Sequence, residues 1–145
     1  MLHRTKKILL VIAAIYLAIA AILFSLQKSL LYFPTEAVDH PFDSMTIECD
    51  DAEINVIVLN AEKSLNKVIL YFGGNGEAVA YSATDLANNF PNHVIYLMNY
   101  RGYGRSTGHP DEQDIYSDAL KVFDSIPLAS TRISLIGRSL GSGVA

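Results

Sequence analysis

The sequence predicts an α/β protein: an antiparallel hairpin, then parallel strands with crossover helices, all preceded by one transmembrane helix. Three observations carry that expectation. Ile8–Leu26 contains no charge, proline or glycine. Lys67–Phe72 and His93–Tyr100 are almost wholly apolar runs, each leading into a glycine-rich loop and then a helical stretch. This alternation builds a parallel sheet with right-handed crossovers. A third apolar run, RISLIG, leads into Gly137-Arg138-Ser139-Leu140-Gly141, a serine between two glycines at i−2 and i+2.

The N-terminal run comes first. As a helix, Ile8–Leu26 is about 28 Å long, close to the hydrocarbon thickness of a bilayer. A single span must be helical, because lipid offers no partner to the backbone. Arg4, Lys6 and Lys7 precede the run, and only Lys28 closely follows. The positive-inside bias puts the N-terminus in the cytoplasm and the rest on the opposite side, periplasmic or extracellular/lumenal. A cleaved signal peptide has the same charge layout. Against it stand the length of the run and the lack of an A-x-A-like site in LFSLQKSLLYFP. Apolar residues continue through Leu30–Phe33, as in an interfacial stretch. A buried core helix fits poorly, since a polar face is missing. The organisation expected is a basic flank (1–7), a transmembrane helix (8–26), a juxtamembrane linker (27–43) and a partial α/β domain (44–145). The first partner implied is therefore the lipid bilayer.

Met45–Cys49 and Ile54–Leu59 alternate as strands and read as a hairpin turning at Asp50, Asp51 and Ala52. Lys67–Phe72 suits a strand buried on both faces. GGNGE leads into a helix from about Ala78 to Phe90. His93–Tyr100 is a second buried strand, followed by the loop RGYGRSTGHP. A helix from about Asp111 to Ser125 opens with acidic residues, as its dipole favours. Its apolar face is Ile115, Ala119, Leu120, Val122 and Phe123. RISLIG is a third buried strand. Ligand sites in such sheets lie beyond the carboxyl ends of the strands, so the three glycine-rich loops should share one crevice.

Composition narrows the function. The chain has 145 residues, net charge -4 and one cysteine. That suits one domain. No basic stripe points to nucleic acid. A lone Cys49, in an alternating stretch, reads as a small buried hydrophobe rather than a disulfide or metal-thiolate partner. The loop Gly102–Gly108 reads G-x-G-x-x-x-G and follows the second parallel strand, a poor match to a dinucleotide loop. No metal or cofactor is implied.

The tip of the third strand carries the chemistry. Gly137-Arg138-Ser139-Leu140-Gly141 is G-x-S-x-G in a strand–turn–helix setting, the context of a nucleophile elbow. Gly137 and Gly141 leave room for the neighbouring strand and helix. The Leu140 amide, at a helix N-terminus, faces a developing oxyanion. A second amide is expected from Gly73–Gly76, with Asn75 the candidate and Gly74 the alternative.

LYFGGNGE, NYRGYGRSTG and ISLIGRSLGSGVA, in that order, resemble the α/β-hydrolase superfamily. More narrowly, the chain is similar to membrane-anchored serine hydrolases of the Bem46 and serine aminopeptidase-like groups, which also carry an anchor followed by an L-x-F-x-P-like stretch, here Leu31–Pro34. The likeness covers almost the whole chain. Two positions depart from it: Gly73-Gly74 where many relatives have His-Gly, and Asn99 where many have Asp. The resemblance implies hydrolysis of an ester, thioester or amide through an acyl-enzyme on Ser139, with a small acyl, lipid or peptide substrate. It also implies three or so further strands carrying the acid and then the histidine. His3, His40, His93 and His109 all precede the serine and read as ordinary surface or strand-end residues. Residues 1–145 alone are therefore expected to be nearly inactive. The competing expectation is a truncated or partner-binding, non-catalytic hydrolase-like membrane protein.

Overall fold

The structure, a computed structural model, describes residues 2–62, 67–127 and 132–145. Met1, the first residue of the basic flank, lies outside them. The chain divides into two compact units that meet in sequence between Tyr32 and Phe33.

The first unit is one helix, α1, Leu2–Leu31. At 1.5 Å per residue it is about 45 Å long, half as long again as a bilayer core. It is long and apolar enough to cross a membrane, and the apolar window is wholly exposed. The helix takes in the basic flank and Lys28, so Ile8–Leu26 is its middle. It also runs through the first residues expected to be linker. A helix with no proline or glycine inside has no local reason to stop earlier.

The second unit is a five-stranded sheet in the order β1-β2-β4-β3-β5. β1 (Asp43–Cys49) and β2 (Ala52–Leu59) form the hairpin, with Cys49 opposite Ala52. Its turn is Asp50-Asp51, and Asp50 takes a positive φ of 44°, which aspartate tolerates better than most residues. β2 pairs antiparallel with β4 (Val94–Met98), while β3 (Val68–Phe72) lies parallel between β4 and β5 (Ile133–Gly137). Every residue of β3 and β4 is buried, as their unbroken apolar runs predict. Cys49 is a fully buried thiol, and burial, then Asp118, pushes its pKa up to about 11.

Three expectations are corrected. β5 is an edge strand with Leu135 42% exposed, because among the described residues only β3 pairs with it. The helix expected over 78–90 is a 3-10 turn, Val79–Ser82, followed by α2, Ala83–Asn89. On α3 (Glu112–Ser125), Leu120 is 65% exposed, and it lines an apolar groove of about 350 Å³ with Leu70, Phe72, Tyr116 and Leu135. The buried face of α3 instead includes Asp118. Asp111 caps α3, its carboxylate accepting from the Gln113 amide at 3.1 Å, which satisfies one of the helix's orphan donors.

Register aligns the ends of the parallel strands. Phe72 lies opposite both Met98 and Gly137. The loops 73–78, 99–111 and 138–140 therefore leave from one edge of the sheet, as expected.

Candidate active site

The elbow is built by close approach of backbone. Arg138 N–H donates to Phe72 O at 3.0 Å, and Gly141 N–H donates to Gly73 O at 3.1 Å and Arg138 O at 2.9 Å. These bonds lash the turn to the end of β3. A Cβ on Gly137 would strike the Gly141 carbonyl, and one on Gly141 would strike the Phe72 carbonyl. Both obstacles are backbone and cannot swing aside. Gly141→Ala should therefore cost about 1–3 kcal/mol, the range for forcing atoms into a packed site. Denaturant unfolding of the purified variant checks this.

Between these glycines Ser139 adopts φ 51°. That region costs a non-glycine residue on the order of 1 kcal/mol or more and persists only where the surroundings enforce it. The backbone bonds of Arg138 and Gly141 supply that enforcement on either side of the serine. Ser139 is exposed. Leu140 follows as the cap of α4 (Gly141–Val144), with its amide in the first turn.

The glycine-rich loop after β3 faces this elbow. A Cβ on Gly74 would lie 3.6 Å from Arg138 O and 3.7 Å from Ser139 Cβ. Gly74, Asn75 and Ser139 line one cleft of about 630 Å³, which Thr35, Glu36 and Val38 also line. Gly74–Glu77 is a turn closed by Glu77 N–H to Gly74 O at 3.1 Å. Gly76, at φ 74°, supplies the left-handed residue it needs. The Gly74 amide donates to Glu77 Oε2 at 2.7 Å.

Two groups that sequence reasoning passed over hold this loop. The Asn75 side-chain Oδ1 accepts from Phe33 N–H at 2.9 Å and from the Tyr103 hydroxyl at 2.7 Å. Glu77 accepts from the Tyr71 hydroxyl at 2.8 Å and the Ser82 hydroxyl at 2.6 Å, and pairs with Arg138 at 3.2 Å. Burial alone would raise the Glu77 pKa. The Gly74 amide, the two hydroxyls and the Arg138 guanidinium outweigh it and hold the carboxyl below its ordinary 4.5. The only sequence signal for Glu77 was its place in GGNGE.

Both departures from the family pattern have a structural counterpart. A side chain at 73 would meet Val79 Cγ1 at 2.7 Å and the Glu77 carboxyl carbon at 3.4 Å. The space is thus filled from positions 77 and 79. Asn99 Nδ2 donates to Asn55 Oδ1 at 2.9 Å in the interior, a bond an ionised Asp could not donate.

The loop Gly102–Gly108 is a bracket rather than a phosphate cradle. Its amides are spent within the protein: Gly102 on Thr107 O and Ser106 on Tyr103 O inside the loop, Gly104 on Thr35 O and Thr107 on Glu53 O outside it. His40, His93 and His109 are not among the cleft residues. Among the described residues, no side chain hydrogen-bonds to the Ser139 hydroxyl.

No protein-family model matches the chain. It is 39% identical over 54 residues to the alpha/beta hydrolase domain-containing protein WAV2 of Arabidopsis thaliana, covering 34% of this chain and 18% of that protein. It is 36% identical over 92 residues to the lysophosphatidylserine lipase ABHD12 of Bos taurus, covering 59% of this chain and 23% of that protein. The chain thus spans about a quarter or less of the length of these relatives. An alpha-beta hydrolase from Vibrio vulnificus superposes with a TM-score of 0.60 at 23% identity, over 71% of this chain and 37% of that structure. With its strand order and these likenesses, the chain has the α/β-hydrolase fold and is similar, over part of their length, to α/β-hydrolases.

Proposed function

We propose that the protein is a membrane-anchored serine hydrolase that cleaves an ester, thioester or amide through an acyl-enzyme on Ser139. The observation that carries this is the positive-φ serine at the end of β5, set against the Gly74–Glu77 turn. In the reaction a base takes the Ser139 Oγ proton and Oγ bonds to the acyl carbon. The carbonyl electron pair moves to oxygen, where the amides of Leu140 and Asn75 receive it. Collapse expels the alcohol, thiol or amine with a proton, and water then releases the acid. The acid and the histidine of the triad follow the nucleophile in chain order in this fold.

The α1 helix would anchor the protein with Arg4, Lys6 and Lys7 in the cytoplasm and the cleft on the other side. Phe33, which anchors the Asn75 side chain, lies two residues beyond the end of α1. A cleft so close in the chain to a membrane span suits a lipid-borne acyl group. The name of the bovine relative, a lysophosphatidylserine lipase, agrees with that.

The test is a substrate panel on the full-length protein in detergent. Single-chain phospholipids should be hydrolysed faster than water-soluble short-chain esters. Residues 1–145 alone should show no turnover above background. Equal rates on both substrate classes would argue against the lipid assignment. A second reading, a tethered non-catalytic protein, draws on the Ser139 hydroxyl, to which no side chain among the described residues hydrogen-bonds. It predicts no turnover from the full-length protein on any acyl substrate.

A further inference from the structure

We infer that Glu36 is a specificity-determining residue of this cleft: with the Tyr81 ring it selects substrates that carry an ammonium group close to the acyl bond. This rests on the serine-hydrolase reading above. The first argument is that Glu36 has a fixed place. It lies on the stretch Phe33–His40, which is fastened to both glycine-rich loops. Phe33 N–H donates to Asn75 Oδ1 at 2.9 Å, and Gly104 N–H donates to Thr35 O at 2.8 Å. Asp39 pairs with Arg105 at 2.8 Å. Glu36 thus sits between two tethered residues, Thr35 and Asp39, and it lines the cleft with Thr35 and Val38.

The second argument is charge. Three ionised side chains line the cleft among the described residues: Glu36, Glu77 and Arg138. Glu77 and Arg138 pair at 3.2 Å and cancel. The Glu77 carboxylate also accepts from the Gly74 amide and the Tyr71 and Ser82 hydroxyls, so its charge is dispersed before it reaches a ligand. Arg105, on the loop that holds Thr35, is committed to Asp39. Glu36 is exposed, and no ion pair among the described residues engages it. One negative charge in the cleft is therefore uncompensated. It attracts a cation and repels an anion. The third argument is the ring. Tyr81 lines the same cleft and is 76% exposed. An aromatic face and a carboxylate are the two features that hold an ammonium group, the ring by its quadrupole and the carboxylate by its charge.

The experiment treats the full-length protein with two methylphosphonofluoridates of matched shape, one esterified to choline and one to 3,3-dimethylbutanol. In both, Ser139 Oγ bonds to phosphorus and fluoride leaves, so the probes differ only in charge. The readout is the ratio of the two capture rates, in which a general loss of activity cancels. Wild type should capture the choline probe about tenfold faster. Glu36→Gln should lower that ratio to about threefold, and Glu36→Lys should bring it to about one or below. Tyr81→Leu, which keeps an apolar side chain and removes the ring, should also lower it to about threefold. Raised salt should weaken the wild-type preference, since the carboxylate is exposed. A wild-type ratio near one overturns the inference. So does a high ratio that Glu36→Gln leaves unchanged. Failure of the serine reading looks different: neither probe labels wild type, or Ser139→Ala labels as well, and the inference falls with it. If Ser139→Ala is silent while wild type takes both probes equally, only the role of Glu36 falls.

Discussion

Replacing Ser139 with alanine lowers turnover of the full-length protein by about a thousandfold or more, while its unfolding curve stays close to wild type. The magnitude follows from what the hydroxyl does. Without it no acyl-enzyme forms, and only binding and the oxyanion donors remain. The fold should survive because the turn is held by backbone. Gly141 and Arg138 amides bond to Phe72, Gly73 and Arg138 carbonyls, and none of these bonds involves the serine side chain. Alanine also adopts φ 51° at a cost similar to that of serine. Steady-state kinetics on the best substrate of the panel, with thermal unfolding alongside, checks both halves of the expectation.

Replacing Arg101 with alanine has the largest expected effect on stability. Arg101 is 2% exposed and Asp118 is fully buried. Their bond is bidentate, Nε to Oδ2 at 2.8 Å and Nη2 to Oδ1 at 2.9 Å. Nη1 continues to Asp51 at 3.0 Å and Asp114 at 3.1 Å. The guanidinium thus ties the hairpin turn, the end of β4 and helix α3 together. The Asp118 bonds, in first place, raise the Arg101 pKa above its ordinary value, so it stays charged at any working pH. Removing it strands a carboxylate in the interior. Breaking a buried pair in this way costs about 3–5 kcal/mol, a large share of the stability of a domain. Asp51→Ala is the control. That carboxylate is 83% exposed, so its loss should cost less than about 1 kcal/mol. Urea unfolding of the two variants should separate them clearly, and similar midpoints would contradict the account.

Much of this architecture was legible because local pattern and global role agree. An apolar run with no polar interruption, VILYF or VIYLM, has only one comfortable place, the middle of a covered parallel sheet. The elbow was legible because two glycines and a serine meet a steric demand that few other residues satisfy. What stayed hidden depends on long-range partners. Asp118 sits among apolar residues of α3, and nothing local says that Arg101 is waiting for it. Leu120 carries the same apolar signal as Val122, yet one is exposed and the other buried. RISLIG looks as buried as VILYF, but burial depends on neighbours as well as composition. Glu77 was overlooked because a glutamate at the start of a helical stretch usually serves the helix dipole. Here it turns back to the loop. The Asn75 amide was singled out from the sequence, while the side chain that anchors it through Phe33 and Tyr103 was not.

The central claim is that Ser139 is the nucleophile of this fold. Its most direct test is peptide mass mapping of the full-length protein after treatment with a fluorophosphonate. The account predicts a single adduct, on the peptide containing Gly137–Gly141 and localised to Ser139. An adduct on another residue with Ser139 unmodified, or no adduct in a preparation that hydrolyses acyl substrates, would contradict it.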